Sequence, residues 1–232
     1  MTIRSLAGVA IHVVENPARL AAGWLIHVAS SPGHIALSGG STPGRAYELA
    51  AALHPDWRPD VHLWFGDDRA VPPGDERSNY RLAKETLLDR LTLQPQVHRI
   101  RGELGAEEAA ALYDGELRDV TLDLALNGIG TDGHTASLFP GSPALAERQR
   151  RAVAADPGLE PFVPRVTLTP PVFAQARLLI YLVTGEAKAE AARRALAAAP
   201  SPETPASLVR GRETIAILDR AAASQLPGFT DS

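Results

Sequence analysis

The chain has 232 residues, 45% of them hydrophobic, and a formal net charge of −4. That size and apolar content can bury a full core in one domain over residues 1–232, and the balanced charge, free of like-sign blocks, offers no surface to nucleic acid or an anionic membrane. With no cysteine, disulfides, thiolate catalysis and Cys-based metal centres are excluded, and the cytoplasm is the default compartment.

Residues 6–14 are apolar behind Arg4 and mimic a short signal peptide. His12 interrupts the run, however, and Glu15-Asn16-Pro17 stands where a small-residue cleavage site belongs, so residues 8–14 read as a first strand. Asn16 and Pro17 supply the N-cap and first-turn proline of a helix reaching Ala29. After the turn Ser31-Pro32-Gly33, residues 34–37 are a short strand that empties into a Gly-Ser-Thr loop and a helix over 43–53. Residues 61–65 are the next strand, followed by a polar loop over 66–78 and a helix over 79–90. A short strand at 97–100, an amphipathic helix at 106–118 and an apolar strand at 121–126 follow. Residues 151–155 and 165–169 read as strands joined by a Pro-rich loop. Residues 178–183 are the most hydrophobic strand, leading into an Ala-rich helix over 186–199. Pro200, Pro202 and Pro205 mark an exposed connection before a last strand at 214–218. Strand and helix signals alternate from end to end, which implies an α/β fold with a mostly parallel sheet and helices on both faces. No apolar run approaches the roughly 20 residues that a membrane span needs.

The chemistry concentrates at residues 126–141, LNGIGTDGHTASLFPG, where a buried strand runs into closely spaced glycines, Asp132 and His134. A histidine suits a general base near neutrality, and Asp132, two residues away, either orients the ring or holds a substrate hydroxyl. Gly128-x-Gly130-x-x-Gly133 also fits the dinucleotide fingerprint, but Pro140-Gly141 leaves no room for the long helix that this motif opens. Gly39, Gly40, Ser41 and Thr42 offer backbone N–H groups, hydroxyls and a helix N-terminus to a phosphate, without the lysine of a nucleotide-binding P-loop; the alternative is a turn capped by Thr42. Asp67-Asp68-Arg69 crowds another strand end, while Arg165 and Lys188 stand at element boundaries as possible cationic partners of a phosphate. No G-x-S-x-G elbow is present, so hydrolysis here uses water directly. No second histidine lies four residues from His134, which argues against a metal site.

Taken together, LSGGSTPG (37–44), FGDDRAVPPGDERSNYR (65–81), NGIGTDGHTASLFPG (127–141), RVTLT (165–169) and GEAKA (185–189) resemble the 6-phosphogluconolactonases, relatives of glucosamine-6-phosphate isomerase/deaminase. The resemblance implies a modified Rossmann-like fold and hydrolysis of 6-phospho-D-glucono-1,5-lactone in the oxidative pentose phosphate pathway, without metal or organic cofactor, by a monomer or small homo-oligomer. It implies His134 as the base, Asp132 and Asp67 shaping the site, a phosphate cradle at Gly39, Gly40, Ser41 and Thr42, and positive charge from Arg69, Arg165 and Lys188. The chain departs from the family at Asp68, where the middle glutamate is shortened, and at Asn127 and Thr131. The alternatives are a glucosamine-6-phosphate isomerase/deaminase and a non-catalytic sugar-phosphate-binding protein. Ser137-Leu138-Phe139-Pro140 replaces the Phe-Asn-Glu-Pro type segment of the deaminases, whose glutamate assists ring opening, and this favours the lactonase.

Overall fold

The computed structural model describes residues 2–229. In chain order the elements are β1 (Thr2–Leu6), β2 (Val9–Val13), α1 (Pro17–Ala29), β3 (Gly33–Leu37), α2 (Ser41–Leu53), β4 (Val61–Phe65) and β5 (Asp67–Arg69). They continue through α3 (Asn79–Thr86), β6 (Gln96–Val97), α4 (Ala106–Glu116), β7 (Leu124–Asn127), β8 (Ala152–Ala155) and β9 (Arg165–Leu168). The last are α5 (Pro170–Gln175), β10 (Leu178–Val183), α6 (Ala189–Leu196), β11 (Glu213–Leu218) and α7 (Arg220–Ala223).

The main sheet runs β1-β2-β11-β10-β7-β3-β4-β6, parallel throughout except for the β1–β2 hairpin. Every residue of β7 and β10 is buried, as central parallel strands covered on both faces must be. The expected α/β architecture, Rossmann-like with helices packed on a mostly parallel sheet, is therefore the one observed. Asn16 caps α1 as expected, its side chain accepting from Arg19 N at 3.0 Å. No helix among the described residues is long and apolar enough to cross a membrane.

Several expectations need correction. β1 was not foreseen because Thr2 to Ser5 are all exposed on the sheet edge, which leaves no alternation to read; Ala7 and Gly8, at φ 46° and 79°, make the two-residue turn to β2. The loop expected at 66–78 begins as strand β5, which pairs with β9, and β9 with β8, in a separate antiparallel sheet. Asp-Asp-Arg carries no apolar signal; its strand conformation comes from ladder bonds to a distant segment. The helix expected over 79–90 ends at Thr86 and is followed by a 3-10 turn at Leu88–Arg90. That over 186–199 is a 3-10 turn, Glu186–Lys188, followed by α6. The connection marked by three prolines is not wholly exposed: Thr204, Pro205, Ala206 and Ser207 are buried against the loop that follows β7.

Candidate active site

Four strands adjacent in the main sheet, β10, β7, β3 and β4, end on the same edge, so their outgoing loops meet. Between β7 and β3 the order of winding reverses, with β4 and β6 to one side and β10 and β11 to the other. Such a switch point opens a crevice beyond the strand ends. The cleft there has a volume of about 240 Å³ and is walled by Gly39 and Gly40 after β3, Asp67 and Arg69 on β5, and Gly130 and His134 after β7. Arg165 on β9 and Lys188 after β10 complete the wall.

His134 and Asp132 form a bonded pair. Asp132 Oδ1 lies 2.5 Å from His134 Nδ1 and also accepts the backbone N–H of His134 at 3.0 Å. Burial raises the Asp132 carboxyl, but the bonds from the His134 ring and backbone outweigh it and hold the group below the usual carboxylate range. An ionised carboxylate only accepts, so Nδ1 carries the proton and donates it, and in the neutral ring the lone pair is on Nε2. Of the two readings open for Asp132, the geometry matches orientation of the ring. Gly130 is needed for this: a Cβ there would fall on the His134 ring. The ring also meets Phe139 edge-tilted, centroids 4.7 Å apart.

The cations collect opposite this pair. Arg69 and Arg165 are directly cross-strand partners in the β5–β9 ladder, where like charges repel. Both have a buried Nε with no hydrogen-bond partner among the described residues. Arg165 is almost wholly buried; burial lowers its pKa from the ordinary guanidinium value, and its charge sits 5.5 Å from the Phe139 ring centroid. Burial likewise lowers the Lys188 ammonium, while the Asp132 carboxylate opposes that shift. Buried Arg165 and half-buried Arg69 thus bring two guanidinium groups to one wall of the cleft, an arrangement suited to an anion.

The glycine loop supplies backbone more than hydroxyls. Gly39 and Gly40 line the cleft, and Gly40, at φ 103°, occupies the N-cap of α2, so the alternative reading of a turn capped by Thr42 does not hold. No side chain caps this helix, so the N–H groups of its first turn remain open to a ligand. Ser41 is exposed, and the Thr42 hydroxyl is bonded instead to that of Thr184, at 2.8 Å.

Asp67 is buried, with Oδ2 accepting from Ser137 Oγ at 2.5 Å and Oδ1 from Asn79 Nδ2 at 3.2 Å. Asp68 points away and organises α3: it accepts the N–H groups of Arg69, Asn79 and Tyr80 at 2.8, 2.7 and 3.0 Å and the Ser78 hydroxyl at 3.1 Å. Burial pushes its carboxyl up to about 6 against the pull of those backbone donors. Asn79, not singled out from the sequence, lines the cleft and accepts from the Arg69 guanidinium. Ser137 was missed too. Each lay within a motif, but only the fold brings them against Asp67.

Cationic side chains beside a His–Asp pair at the strand ends of a Rossmann-like sheet mark the class: an α/β protein with a polar cleft whose chemistry suits a small anionic metabolite. Comparison with known proteins narrows the class. The profile of the glucosamine-6-phosphate isomerases/6-phosphogluconolactonase family matches residues 17–217. The 6-phosphogluconolactonase of Homo sapiens is 39% identical over 206 residues, covering 83% of this chain and 80% of its own. That of Haemophilus influenzae is 38% identical over 168 residues, 68% of this chain and 71% of its own. The solved structure of 6-phosphogluconolactonase from Trypanosoma cruzi superposes with a TM-score of 0.83 at 30% identity, covering 98% of this chain and all (100%) of that one. A monomeric glucosamine-6-phosphate deaminase shares the fold, with a TM-score of 0.80 at 19% identity. The chain belongs to the glucosamine-6-phosphate isomerase/6-phosphogluconolactonase family.

Proposed function

We propose that this protein hydrolyses 6-phospho-D-glucono-1,5-lactone to 6-phospho-D-gluconate, the second step of the oxidative pentose phosphate pathway, with His134 as general base. The observation that carries the reading is the meeting, in one cleft, of the oriented His134–Asp132 pair with the cross-strand Arg69–Arg165 pair. The arginines, Lys188 and the N–H groups at Gly39 and Gly40 bind the 6-phosphate; Ser41 and Thr42 contribute through the first turn of α2.

With the phosphate anchored, the lactone carbonyl lies within reach of His134 Nε2. Nε2 takes a proton from water as the water oxygen bonds to C1, and Asp132 stabilises the imidazolium that forms. Collapse of the tetrahedral intermediate breaks the C1–O5 bond, and the proton on Nε2 passes to O5. One water is consumed, and the new carboxylic acid ionises in solution. Asp67, fixed by Ser137 and Asn79, shapes the wall beside this path. Ring opening of this kind needs one base and a stabilised oxyanion, and no proton shuttle between carbons.

The test is lactone disappearance below neutral pH against an enzyme-free blank, because the lactone also opens spontaneously. Acceleration over the blank is expected. Release of ammonia from glucosamine 6-phosphate instead would assign the chain to the deaminases, and tight binding of 6-phosphogluconate without turnover would make it a binding protein.

A further inference from the structure

We infer that Arg194, outside the cleft on α6, is a positioning residue for the His134–Asp132 pair, an assignment that rests on the proposed lactonase reading. The catalytic loop over residues 130–134 is closed on its inner side by Gly130 N to His134 O and Gly133 N to Gly130 O, each 2.9 Å. Its outer side is held by groups from elsewhere in the chain. Arg194 Nη2 donates to the carbonyl of Thr131 at 3.2 Å, and Nη1 donates to Thr204 Oγ1 at 2.9 Å. Ala206 N donates to Gly133 O at 2.9 Å, and Thr204 packs so closely that a Cβ on Gly133 would stand 2.9 Å from its Cγ2.

The consequence is geometric. A bond to the Thr131 carbonyl fixes the peptide plane between Thr131 and Asp132, and from that plane the Asp132 side chain departs. Rotation of the plane swings the carboxylate relative to His134 Nδ1, now 2.5 Å away. A guanidinium can bridge the Thr131 carbonyl and the Thr204 hydroxyl at once because its donors form a rigid fork; an ammonium is a single point. Glu190, 3.8 Å from Arg194 Nε, steadies the same side chain from α6. Arg194 touches no wall of the cleft, so its loss leaves the phosphate receptor intact.

The experiment compares Arg194→Met and Arg194→Lys with the wild type by steady-state kinetics and by the NMR resonance of the His134 Nδ1 proton. Arg194→Met is expected to lower kcat by about 10- to 100-fold, the scale of a sub-ångström to 1 Å misplacement. Its KM should stay within about twofold, and the Nδ1 resonance should shift or broaden through faster exchange. Arg194→Lys should not restore the rate. Wild-type kcat in Arg194→Met, full rescue by lysine, or lost kcat with an unchanged resonance would each overturn the assignment. If Arg194→Met fails to fold, Thr204→Val, which removes one end of the bridge at nearly constant volume, is expected to show the same kcat and resonance effects in weaker form, and wild-type values there would contradict the inference. The resonance reads the pair whether or not the lactone is the substrate. A wild-type protein that opens no lactone would thus sink the proposed function alone, and the spectrum would still decide the role of Arg194.

Discussion

At the scale of single residues, the site divides into groups that hold charge and groups that hold geometry. Lys188 belongs to the first: it ends the 3-10 turn after β10, its ammonium lines the cleft, and desolvation makes its charge costly unless an anion answers it. Lys188→Ala is expected to raise KM by about tenfold or more, the worth of one charge-assisted hydrogen bond, with a smaller change in kcat. Steady-state kinetics over a range of lactone concentrations checks this, and an unaltered KM would remove Lys188 from the phosphate site. Asp68 belongs to the second group. As three of its four donors, Ser78, Asn79 and Tyr80, stand at the start of α3, its shortened side chain is read as an anchor for that helix end, not as a substrate contact.

At the scale of elements, the sheet carries a cluster of three histidines away from the cleft. His34 on β3 and His62 on β4 are register partners with ring centroids 4.6 Å apart, and His62 Nδ1 lies 2.9 Å from His98 Nε2 just beyond β6. Trp64 donates its indole N–H to His34 Nδ1 at 3.0 Å, which keeps that nitrogen unprotonated. Burial lowers the pKa of His34 and His98, and the neighbouring histidines add to the shift. A group with a lowered folded pKa binds fewer protons than in the unfolded chain. Stability from these two is therefore fully present above the unfolded value of about 6.5 and is lost as pH falls from there toward the folded values. Denaturant midpoints at pH 7.5 and 5.5, conditions of about one unit either side of that value, should show a smaller acid loss in His98→Gln than in the wild type. An equal loss would contradict this account.

The same scale explains what could be read in advance. The buried strands β3, β4, β7 and β10 and the capped helix α1 follow from apolar runs and local capping, both of which are properties of short segments. β1, β5 and the buried stretch at Thr204 to Ser207 do not. β1 turns only Leu6 toward the core, β5 is three charged residues, and the last is buried by distant partners, Gly133 through Ala206 N and Tyr181 through the Ala206 carbonyl. The candidate residues were legible because they crowd strand ends, whereas Asn79, Ser137 and Arg194 gain their places only when separate loops converge.

At the scale of the whole molecule, the two sheets are joined without a linker. β4 passes into β5 through Gly66 alone, whose carbonyl accepts from Leu168 N of β9 at 2.8 Å, and α4 packs on β8 and β9. Residues of both sheets, Leu126 and Ile180 with Val153 and Val166, share one buried cluster. The expected result is one cooperative unfolding transition, with coincident signals from circular dichroism and from tryptophan fluorescence. Two separated transitions would mean that the small sheet and the main sheet are independent units. Such unity would matter for the proposed function, because His134 stands on a loop of one sheet and two of the three cleft cations on strands of the other.

The most direct test of that arrangement is the turnover of His134→Ala beside the wild type, with 6-phosphogluconate binding measured calorimetrically on both. The account expects kcat to fall by about 10²–10⁴-fold, the range for loss of a general base, while the product still binds through Arg69, Arg165 and Lys188. Near-wild-type turnover in His134→Ala would contradict it.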